Sequence, residues 1–297
     1  MVMRAADLAE YPFQPRYIPI SGQRMAYVDE GSGPVVVMVH GNPSWSYLYR
    51  NLINALRDRY RCIAPDHIGC GFSAKPHDYP YRLENHISNL EQLLDSLAVK
   101  RCVLVVHDWG GAIGLGWAGR HPERVAGVVV LNTAAFPSNR LPFRIALCRW
   151  PLLGPLLVRG LNGFARAATF MAVNRRMPGK VARGFLAPYD SWASRIAIQR
   201  FVQDIPMDKD HPSWPTLLAV EDSLPHLHHC PFLLCWGGQD FCFNDTFYQE
   251  WCRRIPRVEA HYFADAGHYV LEDALPAILP LLNSFLHRVT GGAPDGL

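Results

Sequence analysis

The 297-residue sequence has no long uninterrupted apolar run, no internal repeat and few charged residues. Its most apolar stretch, residues 145–158, contains Arg149, Pro151 and Pro155 and is too short to span a bilayer. Residues 1–10 lack the apolar segment of a secretion signal, and a net charge of +3 is too small to indicate nucleic-acid binding. With 49% hydrophobic and 19% charged residues, the composition is typical of a compact globular enzyme, which we expect in the cytoplasm.

Motifs for disulfides and metal sites are also weak. None of the eight cysteines forms a C-x-x-C pair, and Cys62, Cys102 and Cys235 lie in apolar runs that indicate strands, so we expect reduced thiols. Residues 226–230 (HLHHC) resemble a metal-binding cluster, but side chains at positions i, i+2 and i+3 rarely converge on one tetrahedral ion. We therefore predict neither a metal ion nor another cofactor.

What the chain does contain is an alternation of short β-branched runs with longer segments of helical periodicity. We predict strands at 24–28, 35–39, 61–64, 102–106, 125–131, 231–236 and 258–263. Helices are predicted up to about Arg57 and at 83–97, 112–120 and 275–289, with a frayed Gly/Pro-rich tail after the last. This alternation predicts an α/β fold with a mostly parallel twisted sheet and helices on both faces.

Between Leu131 and Pro231 the alternation stops, and the segment is helical in character but broken by prolines. We predict a helical cap at residues 135–224, inserted between a first core part at 1–134 and a second at 225–297. Ligands bind at the carboxyl ends of the strands in such sheets, so an insertion at this point would cover the ligand.

A polar residue follows the predicted central strand in Val106-His107-Asp108-Trp109-Gly110-Gly111. A strand, a polar residue, small residues and a helix form the layout of a nucleophile elbow, with Asp108 where hydrolases usually carry serine. The backbone N–H of Trp109 would then stabilise negative charge at the helix N-terminus. The alternative is that Asp108 only caps the helix that follows.

A second oxyanion donor is expected in the loop after the preceding core strand. That loop reads His40-Gly41-Asn42-Pro43, and Asn42 offers a backbone N–H and a side-chain amide. Taken alone, Asn42 would also suit a β-turn before proline.

The chain order nucleophile, acid, histidine indicates where the remaining groups lie. His268 follows the last predicted strand and is the expected general base. Asp240 follows the strand before it and is the expected acid that orients the imidazole. Residues 132–136 (NTAAF) offer no carboxylate, and Asp245 is a fallback that lies further from the strand end.

A carboxylate nucleophile suits displacement of a leaving group from sp³ carbon, which gives an alkyl ester of Asp108. In a hydrolase, water activated by His268 would then attack that ester. The side-chain N–H groups of Asn42 and Trp109 would hold a departing halide or carboxylate.

Residues 40–45 (HGNPSW), the Asp108-Trp109 elbow, Asp240 and His268 resemble those of the haloalkane dehalogenases, over essentially the whole chain. Asn42 and the acid after the penultimate strand resemble the third dehalogenase subfamily, whereas epoxide hydrolases usually carry an aromatic residue in place of Asn42. A closer resemblance is to the β-lactone decarboxylases of bacterial long-chain olefin biosynthesis. It rests on residues 66–71 (DHIGCG), 132–136 (NTAAF), 187–192 (APYDSW), 200–206 (RFVQDIP) and 266–273 (AGHYVLED).

The resemblance implies an α/β-hydrolase fold and conversion of a long-chain cis-3,4-dialkyl β-lactone into a cis-alkene and CO₂. It also implies work with other enzymes of the olefin pathway in a multienzyme assembly. Because the lactone reaction needs no hydrolysis, the role of His268 stays open. The alternatives are a haloalkane dehalogenase with the same residues, or a binding protein without activity, which the complete set of catalytic positions disfavours.

The predicted cap is strongly basic. Between Phe136 and Arg200 there is one acid, Asp190, against eleven basic residues: Arg140, Arg144, Arg149, Arg159, Arg166, Arg175, Arg176, Lys180, Arg183, Arg195 and Arg200. These alternate with apolar residues, namely Leu147, Trp150, Leu152, Leu153, Leu156 and Leu157. Such a face fits a lipid-like substrate, an acidic partner or an anionic membrane.

Overall fold

An eight-stranded sheet organises the part of the chain that the computed structural model describes, residues 4–255 and 257–291. The strand order is β1-β2-β4-β3-β5-β6-β7-β8. The strands are β1 (Arg16–Ile20), β2 (Gln23–Glu30), β3 (Val35–Val39), β4 (Arg61–Asp66), β5 (Cys102–Asp108), β6 (Val125–Thr133), β7 (Phe232–Gly237) and β8 (Glu259–Phe263). Pairing is antiparallel from β1 through β2 to β4 and parallel from β4 to β8. The predicted α/β-hydrolase architecture, a mostly parallel sheet with flanking helices, is confirmed.

Two groups of helices flank this sheet, whose central strands β5 and β6 are buried at every residue. The core helices are α1 (Arg50–Leu56), α2 (Leu83–Ser96), α3 (Trp109–Arg120), α10 (Asp245–Arg254) and α11 (Val270–Thr290). Helix α3 packs on β3, β5 and β6 with α2 beside it, and α11 packs on β6 and β7 with α1 beside it. Continuous apolar strands of this kind need cover on both faces, which explains why they lack polar alternation.

The connection between β6 and β7 is helical. It contains α4 (Phe143–Leu147), α5 (Leu153–Pro155), a π-helical turn (Leu156–Gly160), α6 (Gly163–Met171), α7 (Gly179–Leu186), α8 (Ile196–Gln203) and α9 (Trp214–Ser223). All of these lie within the segment predicted as a cap, 135–224. Its boundaries with the core stay a prediction.

Seven of the eight strands coincide with the seven predicted from the sequence, and the structure lengthens most of them. The prediction missed β1, an antiparallel edge strand that contains Pro19 and buries only Ile20, so it carries little periodic signal. Helix α3 begins at Trp109 and α11 at Val270, earlier than predicted, since Gly110 and Gly111 in one and Pro276 in the other obscure the helical pattern. The tail predicted to be frayed lies at 292–297, outside the described residues.

The cysteines and helices bear on two other expectations. All eight cysteines are free thiols, and Cys62, Cys102 and Cys235 are buried in β4, β5 and β7. Within residues 4–255 and 257–291, none of the helices has the length and apolar character needed to cross a membrane.

One carboxylate ties the helical segment to the core. Asp273 on α11 accepts hydrogen bonds from the backbone N–H groups of Gly267, at 2.8 Å, Asn174, at 2.7 Å, and Arg175, at 3.0 Å. The neighbouring N–H of Tyr269 donates to the carbonyl oxygen of Ala172 at 2.7 Å. The 172–175 segment is therefore fixed directly to the loop that carries His268.

We expect Asp273→Ala to lower the free energy of unfolding by about 3 kcal/mol, because it leaves three backbone donors without their acceptor. Urea unfolding at constant protein concentration measures this loss. Asp265→Ala is the matched control, since Asp265 lies on the same loop and is exposed. Equal losses for the two variants would contradict the assignment.

Candidate active site

The turn between β5 and α3 places Asp108 at the carboxyl end of the central strand. Its backbone has φ 54° and ψ −130°, which is unfavourable for a residue with a side chain and marks a sharp strand-to-helix turn. The turn also needs small neighbours, since a Cβ at Gly110 would clash with the carbonyl oxygen of Val39 and one at Gly111 with the side chain of Thr133. The strand-to-helix turn predicted at Asp108 is thus formed by β5, α3 and two glycines, and the role of Asp108 as nucleophile stays a prediction.

The Asp108 carboxylate is held by backbone N–H groups. Asn42 N–H donates to Oδ1 at 2.6 Å, and Trp109 supplies a further backbone hydrogen bond to this carboxylate. Asp108 stands at the N-cap position of α3, but apart from the contact with Trp109, the first residue of that helix, its side chain makes no capping hydrogen bond. The alternative reading of Asp108 as a plain helix cap is therefore not supported by its contacts.

Asn42 lies in the loop after β3, before a cis peptide bond to Pro43. Its side-chain Nδ2 donates to the carbonyl oxygen of Ile198 at 3.3 Å, and its Oδ1 is buried without a partner. An amide nitrogen carries two hydrogens, so one donor remains available beside Asp108. The Trp109 ring packs against Phe201 with the ring centroids 5.4 Å apart.

His268 joins the two predicted carboxylates. Its Nδ1 donates to Oδ2 of Asp240 at 2.8 Å, and its Nε2 lies 3.6 Å from Oδ2 of Asp108. Asp240 also accepts from the N–H groups of Cys242, at 2.7 Å, and Phe243, at 3.1 Å. The fallback acid Asp245 is exposed at the start of α10 and accepts from the Tyr262 hydroxyl instead. The structure thus brings Asp108, His268 and Asp240 together in a line.

Sequence reasoning missed the residues that hold this line in place. Asn132, at the end of β6, donates from Nδ2 to Asp240 at 3.0 Å and accepts at Oδ1 from the N–H of Gly237 at 2.8 Å. His107 donates from Nε2 to the carbonyl oxygen of His268 at 2.8 Å, and the Thr133 hydroxyl donates to the carbonyl oxygen of Asp108. The signal in the sequence that indicates Asn132 and Thr133 is their position as polar residues at the end of an apolar strand.

Burial and charge shift the pKa values of these groups in different directions. Burial raises the pKa of Asp108 above its ordinary value, although the His268 charge and the N–H groups of Trp109 and Asn42 oppose the shift. Burial also works to lower the pKa of His268, but the charges of Asp240 and Asp108 and the Asp240 hydrogen bond outweigh it, so this pKa is raised. The pKa of His107 is well below its ordinary value, chiefly because the ring is fully buried. The shifts therefore act toward the charged form at His268 and toward the neutral form at His107.

A cavity of about 400 Å³ lies above Asp108. Asn42, Trp109 and His268 share its polar floor. Most of its wall is apolar and comes from the helical segment and the loop after β7, including Leu141, Ile145, Cys148, Leu157, Phe164, Ala168, Met171, Val202, Leu217, Phe241, Phe243 and Phe247. An ionised carboxylate at the floor of an apolar cavity is poorly hydrated and faces any electrophilic carbon bound there. Among residues 4–255 and 257–291, no group of three or more His, Cys, Asp or Glu side chains could hold a metal ion.

Comparison with known proteins agrees with this geometry. A family model described as "alpha/beta hydrolase fold" matches residues 34–275. A cis-3-alkyl-4-alkyloxetan-2-one decarboxylase of Shewanella oneidensis is 48% identical over 93% of this chain and 89% of its own length. A protein of the same name from Xanthomonas campestris is 43% identical over 94% of this chain and 97% of its own length.

The fold is also similar to solved structures. The crystal structure of haloalkane dehalogenase DatA from Agrobacterium tumefaciens matches with a TM-score of 0.84 and 29% identity, over 93% of this chain and 97% of that one. The dehalogenase is thus a more distant relative than the two decarboxylases. The chain belongs to the α/β-hydrolase fold family and, within it, to the family of the cis-3-alkyl-4-alkyloxetan-2-one decarboxylases.

Proposed function

We propose that this enzyme decarboxylates long-chain cis-3,4-dialkyl β-lactones to cis-alkenes and CO₂, with Asp108 as the nucleophile. The observation that carries the proposal is the Asp108 carboxylate, fixed by the Asn42 N–H at the floor of an apolar cavity of about 400 Å³. The apolar wall suits two alkyl chains, and the polar floor suits the lactone ring. The names of the relatives from Shewanella and Xanthomonas support the same reaction.

In the first step, a carboxylate oxygen of Asp108 attacks the sp³ ring carbon that is bonded to the ring oxygen (C4 of the lactone, not the carbonyl carbon). It approaches from the side opposite the ring oxygen. A bond forms between Asp108 and this carbon, and the carbon–oxygen bond of the ring breaks with inversion. The ring oxygen becomes part of a carboxylate on the adjacent carbon. The free side-chain hydrogen of Asn42 and the indole N–H of Trp109 would hold this new anion.

In the second step, the bond between the adjacent carbon and its carboxylate breaks and releases CO₂. The electron pair forms the carbon–carbon double bond and expels Asp108 as a carboxylate. Inversion has placed the Asp108 ester anti to the carboxylate while both alkyl groups lie on one side, so anti elimination gives the cis-alkene. The two steps balance without water, a proton or a cofactor, and Asp108 is regenerated.

His268 then has no water to activate. Its imidazolium form would instead stabilise the Asp108 carboxylate as it leaves, since Nε2 is 3.6 Å from Oδ2. Asp240 would fix the orientation of the His268 imidazole and favour its charged form.

The alternative is a haloalkane dehalogenase, in which the ester is hydrolysed. The observation in its favour is that Asn42 and Trp109, at the cavity floor beside Asp108, would also suit a halide, while His268 is near enough to direct water at the ester. The experiments below separate the two reactions.

We also propose a location and partners. Eight free thiols favour a reducing compartment, so we expect the cytoplasm. The family resemblance supports work beside other enzymes of olefin synthesis in a multienzyme assembly. The basic helical segment would suit an acidic partner or an anionic membrane.

Asp108→Asn should reduce alkene formation by about 10⁴-fold or more, because the amide cannot act as the nucleophile. Alkene formed from a cis-dialkyl β-lactone, measured by gas chromatography, reports the loss, and mass spectrometry verifies that the variant has not deamidated. Asp245→Asn is the matched control at an exposed aspartate and should retain wild-type activity. Retained turnover in the intact Asp108 variant would refute its role.

Turnover in ¹⁸O-water distinguishes elimination from hydrolysis. With a β-lactone, we expect an alkene and an unlabelled Asp108 peptide after many turnovers, because no water meets the ester. A haloalkane dehalogenase would incorporate label into Asp108 over successive turnovers and give an alcohol. Labelled Asp108 during lactone turnover would exclude the elimination.

His268→Gln makes the same distinction with a variant. It should slow alkene formation by about 10²-fold at most and still permit multiple turnovers, because elimination itself frees Asp108. Hydrolysis would stop after one turnover with a stable alkyl ester, visible as added protein mass. An accumulated ester on the lactone substrate would contradict the proposal.

The pH dependence should reflect the raised pKa of Asp108. Since attack needs the carboxylate, activity should fall as pH falls through this pKa, at a higher pH than for an exposed aspartate. The His268 charge opposes the shift, so His268→Gln should move the acid limb of kcat/KM to still higher pH. A limb that stays in place or moves to lower pH would show that another group controls it.

A further inference from the structure

The roof of the cavity, residues 143–171, is apolar on its outer face as well as on its inner face. Its helices α4 to α6 line the cavity through Ile145, Cys148, Leu157, Phe164 and Ala168. Its outer face exposes Phe143 (72%), Trp150 (56%), Leu152 (89%), Leu156 (54%), Leu161 (59%) and Phe170 (67%). A helical layer that is apolar on both faces usually has an apolar contact on each side.

This exposure is concentrated on the roof. Of the ten large exposed apolar side chains in the part of the chain that the structure describes, six belong to the roof. A seventh, Trp192, lies beside it, under the guanidinium of Arg159 and near Gly160. Single exposed apolar residues are normal on protein surfaces, but a cluster over a cavity indicates a binding surface.

The charge of the same region has one sign. Residues 137–189 contain no acid and nine basic residues, namely Arg140, Arg144, Arg149, Arg159, Arg166, Arg175, Arg176, Lys180 and Arg183. The whole chain carries only +3, so the remainder is net acidic. Arg149 donates to the carbonyl oxygen of Ile205, and Arg159 donates to that of Trp192. Arg166 and Arg176 are exposed, and they remain available to an outside anion.

Part of the cavity lining is exposed at this surface. Arg140 and Arg144 line the cavity and are exposed, and Arg144 reaches across to the Met171 sulfur at 3.5 Å, joining α4 to the end of α6. The exposed residues Phe143 and Phe170 directly precede Arg144 and Met171 in the chain. Exposed arginines that line the cavity therefore lie next to exposed aromatic residues of the roof.

We propose that the roof docks on an anionic lipid surface and that the substrate enters the cavity directly from that surface. Arginines would contact lipid phosphates while Phe143, Leu156 and Phe170 insert among the acyl chains. The substrate argument rests on the proposed function. Each methylene lowers the aqueous solubility of an alkyl chain by about fourfold, so a long-chain lactone partitions almost entirely into lipid.

Sedimentation with vesicles tests the docking without any activity measurement. The chain should bind vesicles of phosphatidylcholine with phosphatidylglycerol, bind pure phosphatidylcholine at least tenfold more weakly, and be released by salt. The variant Phe143→Ser/Leu156→Ser/Phe170→Ser and the variant Arg166→Glu/Arg176→Glu should each lose binding at least tenfold.

Matched controls lie elsewhere on the surface. Tyr17→Ser removes an apolar side chain that is 47% exposed on β1. Lys100→Glu/Arg101→Glu makes the same charge change just before β5, at the edge of the sheet opposite the cavity. Both should bind vesicles like the wild type. Absence of wild-type binding to phosphatidylglycerol, or equal losses in the controls, would overturn the docking proposal.

Activity on two substrates separates this proposal from the proposed function. None of the five substituted roof and arginine positions lines the cavity, so turnover of a short-chain, water-soluble cis-dialkyl β-lactone should be unchanged, which also verifies folding. Turnover of a long-chain lactone presented in anionic vesicles should fall with vesicle binding, by about tenfold. Normal vesicle turnover in a variant that no longer binds would refute entry from lipid. A wild type that binds vesicles but decarboxylates neither lactone would refute the proposed function and leave the docking itself supported.

Discussion

The site depends on keeping one carboxylate ionised at the floor of an apolar cavity. Burial raises the pKa of Asp108, so the protein must offset the cost of that charge with groups that cannot rearrange. Backbone N–H groups of Asn42 and Trp109 do so, and so does the imidazole of His268. These donors converge only because β3 and β5 are parallel neighbours that end at the same edge of the sheet. The turn at Asp108 is correspondingly tight, and the glycines that follow it leave no room for a Cβ.

The second carboxylate is as important as the first, because His268 is useful only in one orientation. Asp240 fixes its Nδ1, Asn132 fixes Asp240, and Asp273 fixes the loop that carries the ring. Asp273 also binds the backbone N–H groups at 174–175, so the same carboxylate joins the helical segment to the loop that carries His268. A movement of the helical segment at residues 174–175 would therefore also move the loop that carries His268.

The sequence predicted what depends on local pattern and missed what depends on distant contacts. Asp108 and His268 were predicted because Asp108 lies at the end of β5 and His268 in the loop after β8, and parallel sheets of this kind bind ligands at the carboxyl ends of their strands. Asn132 and Asp273 form hydrogen bonds to residues up to 108 and 99 positions away in the chain. The periodicity of the sequence does not indicate such partners. The roof shows a similar limit. Its basic and apolar character was evident, but Leu156 faces solvent while Leu157 lines the cavity, and a π-helical turn disrupts the period that would have separated them.

The same residues suit a hydrolase and a lyase, so the substrate must decide between the two outcomes. When a halide leaves, the ester of Asp108 has no internal group that can expel the carboxylate, and only water activated by His268 can free the enzyme. When a β-lactone opens, the adjacent carbon carries a carboxylate whose loss supplies the electron pair that expels Asp108. That intramolecular step needs no second molecule to be positioned. It should therefore be faster than attack by water on the ester in an apolar cavity. In the proposed lyase, specificity would then lie in a cavity wall suited to two alkyl chains, and the side chains of Asp108, His268 and Asp240 need not differ from those of a dehalogenase.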